Sequence, residues 1–280
     1  MAEILNGKEL AKKIRTNLKV EVEELKKQKK YPKLAVIMVG NDQASSIYVK
    51  NKSKACDEIG IDFEEYLLPE ETTMQELLSL ITKLNEEKEI KGILLQSPIP
   101  AHLDIQKAFE TINPKKDVDG FHPISVGQAC IGQDTFIPCT PLGIVRLLEE
   151  YKIPIEGKNV VILGRSNIVG KPLMQCMLKK NATVTICHSK TRNIQEITKQ
   201  ADILIVAIGK PKFITEEMVK ENAVVIDVGM NRLENGKLCG DIDFEGVEKK
   251  VSYITPVPGG VGPMTIAMLM QNVVKATKME

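Results

Sequence analysis

Asn159-Val160-Val161-Ile162-Leu163-Gly164-Arg165-Ser166-Asn167-Ile168-Val169-Gly170-Lys171-Pro172 is the stretch on which the fold turns. Its first five residues form a short apolar run, as a strand buried on both faces of a parallel sheet requires. Glycines at 164 and 170 allow a tight turn and close backbone approach, and the helix that follows presents free amides to a phosphate. The spacing G-x-S-x-x-x-G departs from the usual dinucleotide fingerprint, so the pattern alone also fits an ordinary strand–helix turn. The surroundings favour the binding turn.

Downstream, apolar runs at Thr183–Cys187, Asp202–Ile208 and Val224–Val228 alternate with helices around Pro172–Lys179, Ile194–Lys199 and Glu216–Lys220. Short buried strands alternating with helices predict a doubly wound parallel sheet. Thr140-Pro141 reads as an N-cap and first helical position of a helix to about Tyr151. Upstream lies a second α/β series. Strands are expected at Leu34–Val39, Ile61–Leu67 and Gly92–Gln96, after an opening helix marked by Leu10, Ile14, Leu18, Val22 and Leu25. Ser45 or Ser46 caps the next helix, which closes at Gly60, and Thr73–Glu76 is a capping box. A helix is also expected around Leu103–Ile112, and Asn113 to Thr140 reads as turns. The final helix, Met264–Val274, is apolar enough to pack back on the first domain. The fold class is therefore α/β with two domains, 1–138 plus 262–280 and 139–261.

Composition narrows the function. At about 150 residues per domain, 280 residues suit two domains. Apolar residues make up 43% and charged residues 27%, which excludes disorder and collagen-like structure. The 38 basic and 37 acidic side chains leave a net charge of +1, so no global field favours nucleic acid or a membrane surface. Tryptophan is absent and aromatics are only 4%, which also argues against a base-stacking surface. No apolar run is long enough for a membrane helix, and the first residues lack signal-peptide character. Six scattered cysteines without C-x-x-C suggest reduced cytoplasmic thiols, and three dispersed histidines suggest no metal site. A small-molecule protein is the leading class.

Several segments could carry chemistry. About 20 residues past the glycine turn, an NAD site usually has an acid for the ribose hydroxyls. Here the region is His188-Ser189-Lys190-Thr191-Arg192, with hydroxyls and cations, which favours NADP unless the loop is merely solvated. Tyr48 and Lys52 share one helix face, though Lys50, Lys52 and Lys54 also read as a solvated lysine run. A lysine beside a phenol can shuttle protons if burial lowers its pKa. Gln96-Ser97-Pro98-Ile99-Pro100 stands at a strand's carboxyl end, where open α/β sheets bind ligands. In Lys115-Lys116-Asp117-Val118-Asp119-Gly120, either carboxylate could accept from an amino-substituted heterocycle or cap the turn. Pro258-Gly259-Gly260-Val261-Gly262-Pro263 offers bare backbone to a flat ligand, or simply a stiff loop.

In order and spacing these segments resemble the methylenetetrahydrofolate dehydrogenase/methenyltetrahydrofolate cyclohydrolase family over nearly the whole chain. The carrying motifs are Tyr48-x-x-x-Lys52, Gln96-Ser97-Pro98-x-Pro100, Lys116-Asp117-Val118-Asp119-Gly120-Phe121, Cys139-Thr140-Pro141, Gly164-Arg165-Ser166-x-x-Val169-Gly170-x-Pro172, His188-Ser189-Lys190-Thr191, Asp227-Val228-Gly229 and Pro258 to Thr265. The resemblance implies NADP-dependent oxidation of 5,10-methylenetetrahydrofolate to the methenyl form, then hydrolysis to 10-formyltetrahydrofolate. It implies Lys52 as the proton-transfer residue, tuned by Gln96, with Tyr48 positioning the folate and Asp119 holding the pterin amino group. Pro258, Gly259 and Gly260 would line the folate groove, and Gly164, Arg165, Ser166, Ser189 and Met230 would contact NADP. It further implies two domains across a cleft, a Rossmann-type second domain, a homodimer paired through that domain, and no metal. The competing readings are a dehydrogenase without cyclohydrolase activity and a catalytically lapsed nucleotide-binding regulatory module. Intact Tyr48, Lys52, Gln96 and Asp119 count against the module.

Overall fold

The computed structural model describes residues 1–279. They divide into two compact units, one of residues 12–139 with 266–280, the other of residues 1–11 with 140–265.

In the first unit the buried strand Lys33–Val39 is central, with Asp62–Leu68 on one side and Gly92–Leu95 on the other, all parallel. Each crossover carries a helix with recognisable ends. Gln43–Ile59 starts from Asp42, whose carboxylate accepts from Ser45 N at 2.6 Å, so the cap is Asp42 and not Ser45 or Ser46. It ends on Gly60 in the left-handed region, as expected. Met74–Glu86 opens with the expected capping box at Thr73 and Glu76 and buries Leu77, Ile81 and Leu84. These residues join Ala35, Ile37, Ile93 and Phe109 in one core. From the central strand the chain winds first to one neighbour and then to the other. The loops after Val39 and Leu95 therefore diverge and leave a crevice at the carboxyl ends.

The stretch expected to be turns between Asn113 and Thr140 contains a helix, Pro123–Cys130. His122 caps it through Nδ1, which accepts from Ile124 N at 3.0 Å, and Pro123 occupies the first turn. The closing helix is longer than expected, Val261–Lys278. Its residues from Ile266 onward pack with 12–139, as its apolar character suggested.

The second unit holds a six-stranded parallel sheet in the order Glu3–Ile4, Tyr253–Ile254, Val224–Asp227, Ile203–Val206, Asn159–Leu163, Thr183–Cys187. Its core gathers Val161, Leu163, Leu204, Val206, Val225 and Ile254. Winding again reverses, here after Thr183–Cys187, so the crevice opens beyond Leu163 and Val206. Residues 1–11 join this sheet and not residues 12–139, where the sequence reading put them. Glu3–Ile4 pairs with Tyr253–Ile254, and Lys8 N donates to Gly259 O at 2.9 Å. A Cβ on Gly7 would lie 1.9 Å from Gly260 O, so only glycine permits that approach. Thr140 lies inside the helix Cys139–Glu150 and does not cap it; its hydroxyl meets that of Thr265 at 2.9 Å.

Candidate active site

The crevice of the three-stranded sheet gathers the polar side chains expected there. Lys52 projects from the third turn of Gln43–Ile59, and Gln96 directly follows the strand on the opposite side. Lys52 Nζ donates to Gln96 Oε1 at 2.7 Å. Gln96 is buried and fixed twice more, its amide donating to Ser97 O at 2.7 Å and its backbone N–H to Ile37 O at 2.8 Å. Ser97 O also receives the buried Ser45 hydroxyl at 3.5 Å. The acceptor for Lys52 is therefore held rigid before any ligand arrives.

Burial pushes the Lys52 ammonium below the usual lysine range, against the opposing pull of Asp119 and, more weakly, Cys139. The Asp119 carboxyl is raised, again chiefly by burial, with Lys52 pulling it down. Each of these two groups thus favours the other's charged form, while burial of both works against it. Tyr48 shares the Lys52 helix face one turn earlier, stays partly exposed, and has its phenol pushed up by burial. Lys50 and Lys54 on the same helix are exposed, so the solvated-run reading fails only at Lys52.

Three charged residues of Lys116–Asp119 have separate duties. Lys116 Nζ donates to the carbonyls of Leu84, Asn85 and Glu87 at 2.7 to 3.0 Å, closing the end of Met74–Glu86. Asp117 accepts from Phe121 N, His122 N and the Ser125 hydroxyl, so it belongs to the turn. Asp119 alone faces the lysine. Its other neighbour is the Cys139 thiol, which donates to Asp119 Oδ1 at 3.5 Å and to Val118 O at 3.6 Å. Burial raises the Cys139 thiol well above its ordinary range, so it stays protonated as a donor. Sequence reasoning gave Cys139 no role of its own. Asn272 was missed as well; its signal was a polar residue inside the apolar run Met264–Val274.

In the other unit, Gly164 follows the strand Asn159–Leu163 at φ +123°, and a Cβ there would lie 2.4 Å from Ala207 O. A Cβ on Gly170 would lie 2.1 Å from Gly164 O. This turn leaves side-chain-free backbone ahead of a helix start, a surface that a phosphate can approach closely. Ser166 Oγ accepts from Val169 N at 3.1 Å, which leaves its own O–H to donate outward. At the end of the neighbouring strand, His188 N donates to Thr191 Oγ1 at 2.9 Å and Lys190 N to His188 Nδ1 at 3.1 Å. The turn so fixed presents Ser189, Lys190 and Arg192 to solvent, as Arg165 and Ser166 are presented from the glycine turn. Met230 is exposed beyond the strand Val224–Asp227. Asp227 and Asp241 shape the loops around it. Asp227 accepts from the backbone of Gly229, Asp241 and Ile242, and Asp241 accepts from that of Ile208, Gly209 and Lys210. Burial raises the Asp227 carboxyl to about 6. Pro258, Gly259 and Gly260 belong to this unit, whereas Tyr48, Lys52, Gln96 and Asp119 belong to the other.

A lysine–glutamine–carboxylate cluster in one α/β unit and a bare phosphate turn in another agree with what the chain matches. Residues 5–119 match the catalytic domain described as tetrahydrofolate dehydrogenase/cyclohydrolase, and residues 138–280 match its NAD(P)-binding domain. The chain belongs to the tetrahydrofolate dehydrogenase/cyclohydrolase family. Curated relatives named bifunctional protein FolD include that of Lachnoclostridium phytofermentans, 60% identical over 278 residues and covering 99% of both chains. That of Bacillus subtilis is 56% identical and covers 99% of this chain and 98% of its own. The crystal structure of the bifunctional FolD enzyme from Campylobacter jejuni has a TM-score of 0.98 at 51% identity, covering 99% of each chain. The Trypanosoma brucei enzyme, solved with NADP cofactor and an inhibitor, has a TM-score of 0.95 at 36% identity, covering 99% of this chain and 98% of its own. In this tetrahydrofolate dehydrogenase/cyclohydrolase chain, Asp119 ends the first family match and Cys139 lies just inside the second. Their side-chain contact is nevertheless internal to one unit.

Proposed function

We propose that residues 12–139 bind the folate and handle its proton, that residues 140–265 bind NADP, and that the chain works as follows. It oxidises 5,10-methylenetetrahydrofolate to the 5,10-methenyl form and hydrolyses that to 10-formyltetrahydrofolate. NADP, when bound, supplies the hydride acceptor for the first step. Gly164, Arg165, Ser166, Ser189 and Met230 would hold it. The two bare glycines suit its phosphates, and the cations beside them, with no acid interleaved, suit the extra phosphate of NADP over NAD. Asp119 accepts from the amino group of the pterin, and Tyr48 packs beside the folate. Pro258, Gly259 and Gly260 contribute backbone contacts to it.

One observation carries the hydrolytic half: the buried Lys52 ammonium donates to a fixed Gln96 carbonyl oxygen at 2.7 Å. A lysine whose neutral form is favoured by burial can take a proton from water attacking the methenyl carbon. The cationic substrate repels an ammonium and pushes the same way. That proton then passes from Lys52 to the departing ring nitrogen as the carbon–nitrogen bond breaks, and the hydroxyl left on the carbon releases its own proton to solvent as the formyl C=O forms, which opens the five-membered ring and restores the neutral amine. Gln96 keeps the amine aimed through both transfers.

The experiment is to follow methenyl and formyl products from methylenetetrahydrofolate with NADP and, separately, with NAD. Formyl product well above the buffer rate, with NADP the better acceptor, is expected. Methenyl that accumulates and hydrolyses only at the buffer rate would defeat the bifunctional reading. Lys52→Met should abolish hydrolysis and leave NADP binding intact; unchanged hydrolysis would remove Lys52 from its role. We also place the protein in the cytoplasm, in one-carbon metabolism supplying purine synthesis, as a homodimer. The half-exposed edge strand Thr183–Cys187 supports pairing through the nucleotide-binding unit. Sedimentation at a monomer mass would overturn that.

A further inference from the structure

The proposed mechanism leaves one buried polar side chain beside Asp119 without a role. Asn272 sits in the closing helix, 3% exposed, among Met268, Leu269 and Val273. Burying an amide costs unless its hydrogens are used. Both have carbonyl partners: Asn272 Nδ2 donates to Val118 O at 2.8 Å and to Ile137 O at 3.2 Å, and lies 3.7 Å from Cys139 Sγ. Val118 immediately precedes Asp119, and Ile137 stands two residues before Cys139. One amide therefore ties together the two backbone segments whose side chains meet at Asp119 Oδ1. Among the described residues, the other hydrogen bonds between those segments are the Cys139 contacts to Val118 O and Asp119 Oδ1, weak sulfur donors at 3.6 and 3.5 Å.

We propose that Asn272 is a positioning residue for folate, setting the direction of the Asp119 carboxylate without touching the ligand. This rests on reading Asp119 as the group that holds the pterin. Without the amide, the Asp119 segment can shift by a fraction of an ångström relative to Cys139, and misplacement on that scale is expensive for an aligned contact.

Asn272→Leu keeps the bulk and removes both donors. It should raise the KM for methylenetetrahydrofolate by about ten-fold or more, equivalent to about 1.4 kcal/mol, and leave the KM for NADP within about two-fold. A purely structural role would instead lower kcat through loss of active molecules and leave both KM values in place. Asn272→Ser, which keeps a shorter donor, gives the same reading if the leucine variant does not fold, with a smaller rise expected. A folate KM within about two-fold of the parent in a folded variant overturns the proposal. Asp119→Asn, measured alongside, separates the two ideas. If it raises the folate KM and the Asn272 variants do not, only the positioning role fails; if it leaves the folate KM unchanged, the reading of Asp119 fails and takes the proposal with it.

Discussion

Replacing Gln96 by leucine removes the acceptor of Lys52 and keeps most of the buried bulk. A hydrogen bond to a charged group is worth about 1.5–3 kcal/mol and a neutral one about 0.5–1.5 kcal/mol. The ammonium therefore loses about 1–1.5 kcal/mol more than the neutral amine, which is about one pH unit. That shift adds to the fall that burial already causes, and Asp119 is left in place to oppose it as before. With the neutral amine as the base, as proposed, the acid limb of hydrolysis should move about one unit to lower pH. The plateau should move the other way from an improvement. A general base is worth about 10²–10⁴-fold when aimed, so freeing the amine should cost about 100-fold in the plateau rate. The assay is the pH–rate profile of methenyl consumption with the buffer rate subtracted, and NADP affinity by calorimetry as the check on folding. Gln96→Glu supplies the opposite sign: a carboxylate at the same reach stabilises the ammonium and should carry the acid limb to higher pH. An acid limb that stays in place in both variants would refute the coupling, whatever happened to the plateau.

Two other outcomes are expected. Gly164→Ala sets a Cβ against Ala207 O in a backbone conformation that L residues avoid, and should cost about 3 kcal/mol or more along with NADP affinity; a denaturant midpoint unchanged from the parent would contradict the close approach. The Asp227 carboxyl, raised from 3.8 to about 6, favours the folded state most when protonated. Its contribution is fully present below the unfolded value and falls by about 3 kcal/mol as pH rises from about 4 to about 6. Urea titrations should therefore find the parent's advantage over Asp227→Asn shrinking across that window, and an advantage that grows with pH would reverse the sign.

The parts of the fold that could be read in advance are those written locally. Asn159–Leu163 and Thr183–Cys187 are apolar, β-branched runs between turn residues, and they form strands with those bounds. The helix Pro123–Cys130 was illegible because its apolar residues do not face a core; Ile124 and Val126 are exposed. Its cap is a histidine ring, which carries no general capping preference. Residues 1–11 misled for another reason. Glu3–Ile4 is two residues long and becomes a strand only because Tyr253–Ile254, far along the chain, offers an edge. The site divides the same way. Lysines at 50, 52 and 54 look alike locally, and only Gln96, 44 residues on, distinguishes Lys52. Nor could spacing separate Asp117 from Asp119, since one carboxylate is claimed by backbone donors within five residues and the other by side chains reached through the fold.

The reversal of winding explains why both units put their chemistry where they do. A helix leaving the central strand on one side and a loop leaving its neighbour on the other expose two carboxyl ends with nothing built across them. In the small sheet, that opening is spanned by two long side chains, Lys52 from the departing helix and Gln96 from the neighbouring strand, which meet at 2.7 Å. In the large sheet the corresponding turn is bare: a Cβ on Gly164 would lie 2.4 Å from Ala207 O, so no side chain fits there. The strand ends pair alike at both openings, Gln96 N donating to Ile37 O and Ala207 N to Leu163 O, each at 2.8 Å, so what differs is the side chains the flanking segments supply. Side chains that meet at such an opening exclude water and shift each other's charge, whereas bare backbone at a helix start suits a phosphate. One topological feature thus frames both the proposed proton-handling pair and the proposed cofactor turn.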